Sequence, residues 1–86
     1  MRYSRNPDAL HRSTVRGVLV LPPGRDEPQL ITAPGDRVWE ELARPRTLDD
    51  LAATLAAQFE AEPTLVANDV SALLDQLIQL GVVVAD

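Results

Sequence analysis

The stretch TLVANDVSALLDQLIQLG, Thr64 to Gly81, decides how the rest of the chain is read. Val66, Val70, Leu73, Leu74, Leu77 and Ile78 recur at intervals of three and four, so one side of an α-helix over 64–80 is continuously apolar. Pro63 precedes it, Thr64 offers a side-chain oxygen to the first amides, and Gly81 supplies a left-handed residue to end it. At about 100° per residue, these six together with Leu65, Ala67 and Leu80 cover well over half of the helix circumference. One packing surface does not consume that much. Either the helix is central and has two neighbours, or one edge, carrying Asp69, Leu73, Gln76 and Leu80, stays open as the wall of a groove.

Before this helix, TLDDLAATLAAQF (47–59) reads as another, with Thr47 as N-cap, Asp50 in a capping-box position, and Leu48, Leu51, Leu55 and Phe59 as the inward stripe. Four alanines let a neighbouring helix approach closely. Arg44–Arg46 (RPR) makes the turn ahead of it. Before that turn, Val38, Trp39 and Leu42 give a short helix within 33–43 one apolar face, with Trp39 expected in the core. The run QLIT, Gln29–Thr32, reads as a strand. Pro28 immediately before it removes one ladder donor, which suits the start of a strand or a sheet edge, and an edge leaves amides and carbonyls available to another chain.

PPGRDEP (22–28) is a loop. STVRGVLVL (13–21) is strand-like, and Gly17 divides it either as a tight turn between two strands or as a bulge within one. Residues 1–12, polar and arginine-rich, are expected to form a loose arm. After Gly81, VVV (82–84) fits a short terminal strand or an extended tail on the core.

With 86 residues, the chain has room for one domain, 1–86, just large enough for an unstapled core. It has no cysteine and one histidine, His11, so it offers no disulfide, no thiolate metal site and almost nothing for histidine chemistry. No run approaches the ~20 apolar residues needed to span a bilayer, and the expected location is the cytoplasm. All eight basic residues are arginines at or before Arg46. The first 46 residues therefore carry a net +2 and the remainder −7, for −5 overall. A helical half this acidic repels phosphate and suits neutral or basic partners.

Catalytic groups are missing from the pattern. Ser4, Ser13 and Ser71 lie outside any nucleophile elbow, and four scattered glycines make no phosphate loop. The pairs Glu40/Glu41 and Asp49/Asp50 point about 100° apart on their helices and do not face one site. No catalytic residue, metal ligand or cofactor site is assigned, and an enzyme is not expected.

The segment 38–83, VWEELARPRTLDDLAATLAAQFEAEPTLVANDVSALLDQLIQLGVV, resembles the PqqD-like family, the peptide-recognition elements of ribosomally made, post-translationally modified peptides. The matching signs are a helix ending in Leu42, the turn Pro45-Arg46-Thr47-Leu48, the pair Asp69-Val70, then Leu73, Leu77 and Gly81 before an aliphatic run. The likeness covers about residues 15 to 85 and is weakest over the first strands. It implies an α+β, winged helix-turn-helix fold, with a small N-terminal antiparallel β-sheet packed on three α-helices. It also implies a stand-alone adaptor, as in lasso-peptide biosynthesis, that binds the leader part of a precursor peptide as an added strand and presents it to a maturation enzyme. That enzyme would be a cysteine leader peptidase or a radical SAM enzyme, with no cofactor on the adaptor. Carried onto this chain, the peptide-binding residues are Gln29, Leu30, Ile31 and Thr32 on the strand, and Asp69, Val70, Leu73, Gln76 and Leu77 on the helix.

Two rival readings share the pattern. A winged-helix DNA-binding regulator would place its third helix in the major groove, but here that helix carries Asp69 and Asp75 and no base. A dimerisation module would use the spare apolar edge against a second copy.

Overall fold

The computed structural model describes all 86 residues. In chain order the elements are β1 (Tyr3–Arg5), β2 (Leu10–Thr14), β3 (Gly17–Leu21), β4 (Gln29–Ile31), α1 (Gly35–Glu41), α2 (Leu48–Phe59), α3 (Pro63–Leu80) and β5 (Val83–Ala85). β2, β3 and β4 form an antiparallel three-stranded sheet in that order, and β1 pairs antiparallel with β5 in a separate two-stranded clip. The sheet lies against the three helices, giving an α+β, winged helix-turn-helix arrangement. No helix is long and apolar enough to cross a membrane.

The core forms where alternating strand residues meet the helix stripes. Val18 and Val20 of β3 pack with Val38, Trp39 and Leu42 of α1, Leu51 and Leu55 of α2, and Val70, Leu74 and Leu77 of α3. Trp39, 1% exposed, is the largest fully buried side chain, and burying a ring of this size contributes a few kcal/mol. α2 starts as its sequence dictates, with the Thr47 hydroxyl accepting the Asp50 amide at 3.1 Å.

Three expectations from sequence are corrected. The N-terminal segment 1–12 is not a loose arm. Tyr3, Ser4 and Arg5 pair with Ala85, Val84 and Val83, and β2 already begins at Leu10. The polar side chains of β1 conceal it because the strand is half-exposed. Its Arg5 guanidinium donates to the Trp39 carbonyl at 3.0 and 2.8 Å and lies 4.9 Å from the Trp39 ring centre. Burial pushes the Arg5 pKa below its ordinary value, an effect opposed by the charge of Glu40.

The cap of the long helix is also different. α3 begins at Pro63, whose missing amide hydrogen suits the first turn, and the carboxylate of Glu62, not Thr64, accepts the Leu65 amide at 3.0 Å. The third correction concerns Phe59. It is 50% exposed because it is the last residue of α2, just before the left-handed Glu60 turns the chain away from the core.

Gly17 resolves as the tight-turn alternative. A two-residue loop, Val15–Arg16, joins β2 to β3, and Gly17 sits at φ +147°. A Cβ placed there would lie 2.1 Å from the Ile31 carbonyl oxygen. Only a glycine lets β4 approach β3 this closely at that point.

Candidate peptide-binding groove

β4 is an edge strand, with β3 on one side and no strand on the other. Its register fixes which groups face outward. Val18 stands opposite Ile31, Leu19 opposite Leu30, and Val20 opposite Gln29. In a two-residue hairpin the flanking pair, Thr14 and Gly17, exchange hydrogen bonds, so Gly17 and Leu19 bond to β2 while Val18 and Val20 bond to β4. The close approach of the Ile31 carbonyl to Gly17 agrees with that parity. Leu30 is therefore the residue of β4 whose amide and carbonyl both point away from the sheet. Thr32, next in phase, already accepts the Asp36 amide with its carbonyl at 3.2 Å.

The same register sorts the side chains. Ile31 shares the inner face with Val18 and packs on the core, whereas Leu30, 38% exposed, lies on the outer face with Leu19. From sequence alone either assignment was open, because a one-residue slip exchanges the faces.

Across from β4 runs α3. Between them lies an open groove of about 320 Å³, with Gln29, Leu30, Ile31 and Thr32 along one wall and Leu73, Gln76, Leu77 and Leu80 along the other. Its floor is the turn Ala33-Pro34-Gly35. Gly35 belongs there for a packing reason, since a Cβ on it would meet the Ile31 Cγ2 at 2.9 Å. The polar side chains of the groove are two glutamines and a threonine. What it offers a ligand is hydrogen bonding and apolar surface.

Seven of the nine residues singled out from sequence line this groove: Gln29, Leu30, Ile31, Thr32, Leu73, Gln76 and Leu77. Asp69 and Val70 do not. They sit about one turn nearer the start of α3, at a second apolar pocket of about 260 Å³ that also takes in Val38, Leu55, Phe59 and Val66. Pro34 and Leu73 border both spaces, so the pocket continues the groove past the end of β4. Sequence reasoning missed the turn 33–35 as part of the site. The Pro-Gly pair marks a turn, but nothing in it says that the turn passes beneath a groove. The long helix presents Asp69 and Asp75 and no basic residue.

No curated protein matches the chain. The solution NMR structure of the PqqD truncation of Methylobacterium extorquens PqqCD superposes with a TM-score of 0.79 at 17% sequence identity, over 98% of this chain and 89% of that one. That protein is described as a functional and stand-alone recognition element for ribosomally synthesised and post-translationally modified peptides. At this identity the likeness establishes the fold, sheet and three helices together. The sequence itself matches the family described as coenzyme PQQ synthesis protein D (PqqD) over residues 17–83, from the first residue of β3 to the first of β5, and on that match the chain belongs to the PqqD family.

Proposed function

We propose that this chain is a non-catalytic adaptor that captures the leader segment of a ribosomally made precursor peptide and presents it to a maturation enzyme, a leader peptidase or a radical enzyme. The leader adds as a strand to β4, its backbone pairing with the amide and carbonyl of Leu30. Alternate side chains enter the groove against Leu73 and Leu77. Beyond Thr32 the peptide passes Pro34 and reaches the pocket at Asp69 and Val70. The observation that carries the reading is the unpaired edge of β4 facing leucines of α3 across an open groove. Family membership and the description of the M. extorquens relative support it.

The magnitudes are adequate. Two backbone hydrogen bonds at Leu30 contribute about 1–3 kcal/mol in all, and three buried apolar side chains, two in the groove and one in the pocket, about 5–9. Ordering a flexible leader costs about 2–5. The range brackets the ~8 kcal/mol of a micromolar complex.

Fluorescence polarisation with a labelled leader peptide, taken from a short precursor reading frame sought among the neighbouring genes, tests the reading. The wild-type chain binds in the micromolar range, and Leu73→Glu, which puts a charge on the groove wall, weakens binding at least tenfold. Equal affinity in a folded Leu73→Glu variant rejects the site.

A further inference from the structure

We infer that Gln76 is a clamp for the backbone of the captured peptide: its carboxamide takes the N–H and C=O of one guest residue on the edge that β4 does not reach. The inference rests on the strand-addition reading above and assigns the second edge of the same guest strand.

A strand has two edges. Each residue of an extended chain presents its N–H and its C=O to the same side, and successive residues alternate sides. Leu30 is the residue of β4 with both groups directed away from the sheet, so the guest residue opposite it directs both of its own at Leu30. The guest residues before and after that one present theirs to the other side, toward the wall formed by α3. That wall is lined by Leu73, Gln76, Leu77 and Leu80. The leucines exclude water from the guest backbone and bond to none of it, and a peptide group left dry and unpaired weakens binding. Gln76 is the one side chain of this wall that can form a hydrogen bond.

Its place on the helix supports the role. Leu77, 6% exposed, faces the core. At about 100° per residue, Gln76 stands about 60° round α3 from Leu73, on the side away from Leu77. Leu73 and Leu77 therefore form the depth of the groove, and exposed Gln76 forms its rim, over the free edge of a strand lying beside β4. Its carboxamide takes part in none of the side-chain hydrogen bonds within the chain, so donor and acceptor are both available. A carboxamide carries the two groups side by side and matches the N–H and C=O of one extended residue.

Neighbouring polar groups do not replace it. Gln29 and Thr32 belong to the opposite wall. Asp69, on the same side of α3, lines the pocket beyond the end of β4 and, as a carboxylate, accepts without donating. Because the clamp bonds main-chain groups, it reads conformation in place of side-chain identity. The clamped guest residue must be extended and must carry an N–H, which excludes proline. The substrate class is a leader with a non-proline residue next to the one that pairs with Leu30.

The test is a backbone N-methyl scan of the same labelled leader, read by fluorescence polarisation against the wild-type chain, Gln76→Leu and Gln76→Glu. Residue 76 is exposed on a helix and leucine is a good helix former, so Gln76→Leu keeps the fold, which circular dichroism checks. Although leucine adds apolar surface to the groove, this variant binds the unmodified leader about tenfold more weakly, the loss of two hydrogen bonds. Gln76→Glu, which keeps an acceptor and loses the donor, also binds more weakly. N-methylation of the guest residue paired with Leu30 weakens binding to all three chains alike. N-methylation of one adjacent residue weakens binding to wild type by about fivefold and leaves binding to Gln76→Leu unchanged. Equal or tighter binding by Gln76→Leu overturns the clamp, and so does an adjacent N-methyl group with the same effect on wild type and variant. In either case, sensitivity at the Leu30 partner leaves strand addition standing. A leader that tolerates N-methylation at every position, or a wild-type chain that binds no leader, overturns the underlying reading of β4 and the clamp with it.

Discussion

Leu30→Pro separates the peptide site from the fold that carries it. The Leu30 amide points away from β3, so proline there removes no bond of the native sheet. The preceding Gln29 is in a strand, the conformation a residue before proline favours. The host fold should lose no more than about 1 kcal/mol, within the effect of an ordinary surface substitution plus some strain. For the guest strand the loss is larger. Its carbonyl loses a donor, and the proline ring occupies the approach path, so the return bond to the Leu30 carbonyl is lost as well. Two hydrogen bonds at a net ~0.5–1.5 kcal/mol each amount to about 1–3 kcal/mol, a fall in affinity of about 5- to 150-fold. Fluorescence polarisation with labelled leader reads the affinity, and urea denaturation followed by circular dichroism reads the fold. Ile31→Pro is the informative contrast, because the Ile31 amide pairs with β3 and its side chain packs on the core, so stability falls first. A folded Leu30→Pro protein that binds within twofold of wild type refutes strand addition at β4.

Other expected outcomes follow from particular contacts. Gly17→Ala places a methyl where the Ile31 carbonyl now sits and forces a side chain into φ +147°, so it should cost at least about 1–3 kcal/mol in urea denaturation and weaken leader binding by displacing β4. Arg5→Ala removes two hydrogen bonds to the Trp39 carbonyl and the contact with its ring, for a loss of about 1–3 kcal/mol and a red shift of Trp39 emission. Hydrogen bonds from the Leu65 and Thr64 amides hold the Glu62 carboxyl below the usual glutamate range. Its stabilising effect is therefore present above the ordinary value of about 4.3 and is lost as pH falls through the lowered one. Thermal melts of Glu62→Gln and wild type should differ most near neutral pH and converge as pH falls below the usual glutamate range, and a difference that stays constant through acid contradicts the cap.

Local signals made most of the architecture legible. Thr47, Pro63 and Gly81 bracket their helices because capping is decided within one turn of the chain, and Pro28 announced an edge because proline lacks the ladder donor. Tyr3–Arg5 could not be read as a strand, since its partner lies some eighty residues away and its own side chains carry no alternation. Asp69 stands on one helix edge with Leu73 by spacing, and Val70 joins them only through the family resemblance. One turn of helix is enough to carry them past Pro34 into a neighbouring pocket, a separation that only the path of the 33–35 turn determines. The faces of Leu30 and Ile31 were undetermined for a related reason, because register is a property of two strands and the sequence displays one at a time.

The β1–β5 clip has a consequence for anyone trimming or tagging this protein. Arg2 and Asp86 exchange backbone hydrogen bonds, Tyr3 bonds in both directions with Arg46, and Asn6 holds the Gly81 carbonyl. Deleting the last four residues would strip β1 of its strand partner and leave it held only by Tyr3–Arg46, by Arg5 on the Trp39 carbonyl and by Asn6, so damage at one end would be felt as loosening at the other. The same adjacency makes the two ends a natural seam: joined by a short linker, with new ends opened in the exposed loop at 23–28, the chain should fold as a circular permutant and leave the β4 edge free.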